Sequence, residues 1–143
     1  MTVKQISVFI ENNAGKLKKA INTISSEGIN IRALSIADGA ELGILRLILT
    51  DNDKAKDVLT KGGFIVRETE VIVIGIPDEP NGLNTLLDVL EGENINLEYV
   101  YAFANNKTDD AVVVIKVENY DKALKVLRNH EAKLYDEGDI ENL

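Results

Sequence analysis

An α+β fold made of two tandem copies of a β-α-β-β-α-β sandwich is what the 143 residues predict. Three observations carry the prediction. Apolar residues alternate along four stretches of the first half. In two other stretches they recur at helical spacing. Almost the whole pattern is then written a second time, about 66 residues later.

Taken in order, Ile6, Val8 and Ile10 alternate, so residues 3–10 read as the first strand. Leu17, Ala20, Ile21 and Ile24 fall at i, i+3, i+4 and i+7, which predicts a helix from about residue 15 with one buried face. Gly28 stands just past the expected end of that helix, where a left-handed residue closes it. Ile29, Ile31 and Ala33 read as one face of the second strand, with Leu34 and Ile36 close behind. Ala37-Asp38-Gly39-Ala40 contains Asp-Gly, a hairpin signal. Residues 44–50 return as the third strand, with Leu45, Leu47 and Leu49 on one side. Asp51-Asn52-Asp53 is a helix-start cluster. Ala55, Val58 and Leu59 mark the inner face of a short second helix, which Gly62-Gly63 stops, and Phe64-Ile65-Val66 begins the fourth strand.

The repeat is specific. Leu83, Leu86, Leu87 and Leu90 reproduce the first helical stripe at a shift of 66, Ile72, Ile74 and Ile76 reproduce the first strand, and Asn94-Ile95-Asn96-Leu97 falls on Gly28-Ile29-Asn30-Ile31. Beyond the hairpin the shift becomes 68: Asp53-Lys54-Ala55 matches Asp121-Lys122-Ala123, and Val58-Leu59 matches Val126-Leu127. An insertion of two residues near Asn105-Asn106-Lys107 absorbs the difference. The chain is therefore an internal duplication, with domains at 1–68 and 69–143, each a ferredoxin-like unit with its helices on one face of a four-stranded antiparallel sheet. A unit this small is at the low end for independent stability. The join at 64–76 has no Pro-, Ser- or Gly-rich linker, so the two copies are expected to dock firmly.

Composition narrows the function. The hydrophobic fraction is 45%, ordinary for a soluble protein, and no apolar run approaches the roughly 20 residues that span a bilayer. Met1-Thr2-Val3-Lys4-Gln5 has no basic flank before an apolar block, so no signal peptide is expected. Zero cysteines exclude disulfides and thiolate chemistry and fit a cytoplasmic location. The net charge of −8 is uneven: residues 1–68 carry 10 Lys and Arg against 8 Asp and Glu, the remainder 6 against 16. Such a chain repels a phosphate backbone, so neither nucleic acid nor membrane is an expected partner. The acidic end Asp136-Glu137-Gly138-Asp139-Ile140-Glu141 is expected to be solvated. No Ser-His-Asp or Cys-His set exists, and the lone His130 has no second metal ligand beside it, so catalytic residues, cofactors and metals are all expected to be none.

The turn Glu11-Asn12-Asn13-Ala14-Gly15-Lys16-Leu17 joins the first strand to the first helix. Free backbone N–H groups and the positive end of the helix dipole meet there, which suits a carboxylate. Amides of Ala14, Gly15, Lys16 and Leu17 would receive it, with Gly15 allowing close approach. An α-amino acid offers one group that accepts and one that donates, and the neutral amides of Asn12, Asn13 and Asn30 can serve both. Asn30 and Ala33 on the second strand are expected to reach the same space. The alternative is that Asn12 and Asn13 only cap the helix and Asn30 only shapes the start of the strand. Asn is unfavourable in strands, yet it recurs at Asn96. Tyr99, Tyr101 and Phe103 alternate onto one face, where Tyr99 and Tyr101 either pack or line a pocket at a contact between copies. The first-copy counterparts, Ala33, Ser35 and Ala37, are small.

A β-α-β-β-α-β unit with Glu-Asn-x-x-Gly-x-Leu after its first strand and Gly-Ile-Asn-Ile at the start of its second resembles the ACT domain, over essentially the whole chain and as two tandem units. The resemblance implies a regulatory module that binds an amino acid between paired domains; with no catalytic domain in this chain, it implies a stand-alone sensor. The family's turn Asn falls on Asn12, its Gly on Gly15, and its strand Asn on Asn30, while Ala14 replaces the usual Pro. In the second copy Pro80 is kept. Asp78, however, replaces the Asn, Asn81 sits where Gly is expected, and Gly82 comes one place late. Asp78 and Glu79 would repel an acid group there. The expected partners are an amino-acid ligand and a second copy in a homodimer, or else a regulated enzyme, with sheet edges covered by edge-to-edge pairing. Two other classes stay open: a ferredoxin-like enzyme of the acylphosphatase type, for which this turn offers only Lys16 as a cation, and a pure interaction module without a ligand.

Overall fold

The computed structural model describes residues 3–39 and 41–143. Met1 and Thr2 of the N-terminal segment, and Ala40 of the expected hairpin turn, lie outside the described residues. The predicted order is found twice. It runs β1 (Val3–Glu11), α1 (Lys16–Ser25), β2 (Ile31–Ala37), β3 (Leu42–Leu49), α2 (Asn52–Lys61) and β4 (Ile65–Ile76). It continues with α3 (Gly82–Gly92), β5 (Leu97–Ala102), β6 (Ala111–Val117), α4 (Tyr120–Asn129), β7 (Lys133–Tyr135) and a closing 3-10 helix, Glu137–Asn142. The chain divides into two compact units within β4, Lys4–Thr69 on one side and Glu70–Leu143 with Val3 on the other.

In the first unit the sheet runs β2-β3-β1-β4. Antiparallel pairing sets Ile6 opposite Leu47 and Glu11 opposite Leu42. One face carries Ile6, Val8, Ile10, Leu45, Leu47 and Leu49 onto Ala20 and Ile24 of α1 and Ala55 and Leu59 of α2. On the other face Gln5 and Ser7 are buried, and the Gln5 amide Nε2 donates to Ser7 Oγ at 3.0 Å. The second unit repeats the plan as β5-β6-β4, with β7 pairing β4 through Val73–Tyr135. Its core sets Ile72, Ile74, Ile76, Val113, Ile115 and Val117 against Leu86, Leu90, Ala123, Leu124 and Leu127.

Both copies carry one irregularity that periodicity did not reveal. The register slips by one residue between Ile31 and Ala33 on β2, and at the equivalent place between Leu97 and Tyr99 on β5. A bulge of this kind turns the following side chains to the other face. Ala33 therefore does not share a face with Ile31: it pairs with Ile48, while Leu34 and Ile36 pair with Leu47 and Leu45 of the core face. Asn30 and Asn96 stand immediately before these bulges, and their carbonyls accept from Thr50 N at 3.2 Å and Glu118 N at 3.0 Å. Another shared contact ties helix to helix. Lys54 Nζ donates to Glu27 O at 3.0 Å, and Lys122 Nζ donates to Glu93 O at 2.7 Å.

One further expectation holds and one is corrected. β2 and β3 pair antiparallel on either side of Asp38-Gly39, Ala37 opposite Ile44, as the hairpin signal predicts, though Gly39 does not take a positive φ. It is needed because a Cβ there would collide with the Leu42 carbonyl. The acidic C-terminus is not simply solvated. Asp136 Oδ1 accepts from Asp139 N while Asp139 Oδ2 accepts from Asp136 N, a reciprocal cap that folds the segment and sinks Ile140 and Leu143 to 3% and 4% exposure.

The helix starts differ in a way that matters below. Asp51 caps α2 by accepting from Lys54 N at 3.1 Å, and Asn119 caps α4 by accepting from Lys122 N at 3.2 Å. Asp51→Ala and Asn119→Ala are each expected to lower stability by about 1 kcal/mol, measured by urea unfolding. By contrast, neither α1 nor α3 has a side-chain cap.

Candidate functional site

The turn between β1 and α1 leaves its amides bare because of one residue. Gly15 occupies the cap position at φ +87 and ψ −13, a left-handed conformation, with nothing within 4 Å of where a Cβ would stand. Lys16 N donates to Asn13 O at 3.3 Å and Lys19 N to Gly15 O at 3.0 Å. The amides of Ala14, Gly15, Leu17 and Lys18 have no acceptor among the described residues. Of the four amides expected to bind a carboxylate, that of Lys16 is thus already engaged locally. Asn12 and Asn13 do not cap the helix. Asn12 N donates to Glu41 O at 3.1 Å, and the Asn13 amide Nδ2 donates to Glu11 Oε2 at 3.0 Å.

Charge reinforces the picture. The first turn of α1 contains no acid and instead carries Lys16, Lys18 and Lys19, whereas α2 and α4 place Asp53 and Asp121 there. Cations at a helix N-terminus oppose its dipole, and none of these three is ion-paired to an acid among the described residues. An anion at this turn would relieve both the bare amides and the lysines.

Beside the turn lies a cavity of about 160 Å³ lined by Ile10, Glu11, Asn12, Asn13, Leu17, Ile36, Asp38, Gly39 and Gly43. Ile36, Asp38 and Gly39 read from the sequence as strand and hairpin residues, not as part of a site. The bulge that turns Ile36 onto the core face brings it here, and only the pairing of β2 with β3 shows that the end of β2 meets the turn. A second cavity of about 150 Å³ lies on the lysine side, lined in part by Glu11, Lys16, Lys19, Gly63 and Phe64, with Lys19 Nζ 5.6 Å from the Phe64 ring centre.

The other expected site residues are not gathered at this turn. Asn30 does not reach it within the first unit. The turn follows Glu11, which pairs with the first residue of β3, while Ile31 pairs with the last. A strand of eight residues separates them, about 25 Å. Asn30 N instead donates to Thr50 Oγ1 at 3.0 Å. Ala33 is buried and Ser35 half-buried on the face away from the helices. In the second unit, Asn96 is exposed in a groove of about 480 Å³ with Asn94, Glu118, Asn119 and Lys122. Tyr99 and Tyr101 are half-buried and stack on each other, with ring centres 6.4 Å apart. Pro80 is exposed.

The second copy's turn is built otherwise. Gly82 is buried, has no positive φ, and a Cβ on it would run into the Pro77 carbonyl. Its amide donates to Glu79 O at 3.0 Å. The glycine displaced by one place therefore serves close packing, where Gly15 serves an open turn.

Among the described residues no cluster of His, Asp or Glu could hold a metal, and no helix is long and apolar enough to cross a membrane. His130 is exposed, its ring Nδ1 2.9 Å from Val126 O.

A family profile described as an ACT domain pair matches residues 1–143. The crystal structure of protein BT0572 from Bacteroides thetaiotaomicron is similar at 40% identity and a TM-score of 0.92, over 100% of this chain and 98% of that one. The regulatory subunit of aspartate kinase from Thermus thermophilus shares the fold at 15% identity and a TM-score of 0.59, over 89% and 91% of the two chains. The corresponding subunit from Thermus flavus does so at 14% and 0.61, over 90% and 92%. No curated protein matches the sequence.

Proposed function

The chain belongs to the family of ACT domain pairs, and from that premise we propose that it is a regulatory protein that binds an amino acid at the turn between β1 and α1. In this reading it has no catalysis of its own, and works in the cytoplasm as a homodimer or against a regulated enzyme. The two domains divide near residues 68 and 69. Family membership supports the regulatory part. The observation that supports the site is the uncapped start of α1, where, among the described residues, the amides of Ala14, Gly15, Leu17 and Lys18 have no acceptors and three neighbouring lysines have no ion pair. A ligand carboxylate would take those amides. The exposed side chain of Asn12 and the carboxylate of Asp38 face the same cavity and suit an ammonium. Asn13, held by Glu11, shapes the rim.

A screen of the twenty amino acids by thermal unfolding tests this. A ligand at about 100 times its Kd is expected to raise stability by about 2.7 kcal/mol, and Asn12→Ala is expected to remove most of that gain while leaving the unliganded midpoint unchanged. If none of the twenty stabilises the protein, it is an interaction module instead.

A further inference from the structure

We propose that Asn81 is a deamidation site, and that the first turn of α3 holds the reaction off for as long as the turn stays closed. The inference is independent of the amino-acid reading: it concerns a covalent change at the strand-to-helix turn of the second copy. Asn81-Gly82 is the one Asn-Gly pair in the chain. Asn81 is exposed, so water has access to its side chain, and the glycine after it puts no Cβ beside the peptide nitrogen.

The reaction needs only this pair of residues and water. Gly82 N attacks Asn81 Cγ, its proton passes to the departing amide nitrogen, and ammonia leaves as a five-membered succinimide ring closes. Water then opens either of two C–N bonds. Cleavage at Cγ leaves Asp at 81. Cleavage at the main-chain carbonyl carbon leaves isoaspartate, whose main chain runs through Cβ and is longer by one methylene.

The folded turn opposes the first step. Gly82 N already donates its hydrogen to Glu79 O at 3.0 Å, so the proton that must leave is held. Asn81 stands at φ −98 and ψ 2, which turns Gly82 N away from the Asn81 side chain, whereas ring closure needs the two on the same side. Rotation into that position is resisted from both ends. Gly82 is buried against the Pro77 carbonyl, and the Asn81 carbonyl accepts from Thr85 N and Thr85 Oγ1, each at 3.0 Å. The side-chain carbonyl is held as well, accepting from Asn84 Nδ2 at 3.2 Å. The succinimide therefore forms only when this turn opens, and deamidation becomes a permanent record of a transient local opening. Once isoaspartate has formed, the extra methylene lies where α3 begins, so the turn does not close as before.

The test is peptide mapping by mass spectrometry of the full chain, incubated in mildly alkaline buffer with and without concentrated urea. The quantity read is the ratio of the Asn81 deamidation rate in urea to that in buffer, which cancels the effect of a changed neighbour on the intrinsic rate. The expected ratio is at least tenfold for wild type, with Asn81 the fastest asparagine in urea. Gly82→Ala, which forces the turn to move, should lower the ratio several-fold. Thr85→Val, an exposed near-isostere that loses only the hydroxyl bond, should lower it in the same direction. Leu127→Ala weakens the core of the same unit away from the turn and should keep the wild-type ratio. Another asparagine reacting faster in urea overturns the site. A wild-type ratio near one, or Gly82→Ala and Thr85→Val both at the wild-type ratio, overturns the turn as the gate. Leu127→Ala losing as much as Gly82→Ala also overturns it, because unfolding of the whole unit would then be the gate.

Discussion

Gly82→Ala is expected to lower the stability of the protein by about 3 kcal/mol, a fall in Tm of roughly 10 °C for a chain of this size. A Cβ at this first residue of α3 would strike the Pro77 carbonyl oxygen and stand 3.0 Å from its carbon. Both are main-chain atoms, so no rotamer relieves the clash and the turn from Pro77 to Asn81 must move. That turn is closed by the bond from Gly82 N to Glu79 O and by the Asn81 carbonyl, which accepts from Thr85 N and Thr85 Oγ1 at 3.0 Å. Two glycines in other settings serve as controls. Gly15→Ala meets open space and has only the left-handed φ against it, about 1 kcal/mol. Gly92→Ala also meets nothing within 4 Å, at an ordinary helical φ, and is expected to stabilise by about 0.5–1 kcal/mol. Urea unfolding of the three variants separates them by size and by sign. A Gly82→Ala protein as stable as Gly92→Ala would mean that the turn yields freely.

The second large effect is expected in the two cores. Leu59 and Leu127 occupy equivalent places in α2 and α4, at 0% and 1% exposure, each in the core of its own unit. Leu59→Ala and Leu127→Ala each remove a fully packed side chain where the surrounding strands cannot collapse to fill the gap. Each is expected to lower stability by about 3–4 kcal/mol. Denaturant midpoints measure the loss. A cost below about 1 kcal/mol at either position would show that its core relaxes into the vacancy. Val58→Ala, on a half-buried side chain of the same helix as Leu59, is expected to cost clearly less and controls for helix propensity.

The duplication was legible in the chain because both copies bury the same stripe at the same spacing. Equivalent contacts confirm it at the atomic level. Lys54 meets the carbonyl of Glu27 as Lys122 meets that of Glu93, and Thr50 meets Asn30 as Glu118 meets Asn96. The turn at Gly15 was legible too, since an apolar strand pattern ends just before it and a helical stripe begins just after it. Three things were not. The bulges after Asn30 and Asn96 leave no composition signal, because each only shifts which neighbour a residue faces. The folded C-terminus was hidden by its charge, although Asp136 and Asp139, three apart and followed by Ile140, form the signature of a reciprocal cap. The different tasks of Gly15 and Gly82 depend on what stands beside each, Pro77 in one case and open space in the other.

Periodicity and repetition in the amino-acid sequence determined the class of fold, the order of its elements, and the position of the glycine turn between the first strand and the first helix. These are local properties: they depend on residues a few places apart, and spacing alone expresses them. Tertiary structure decided which residues share that turn's cavity. It brought Ile36 and Asp38 to it and carried Asn30 to the far end of β3, because strand register and a bulge of one residue set distances that no pattern within a single segment records.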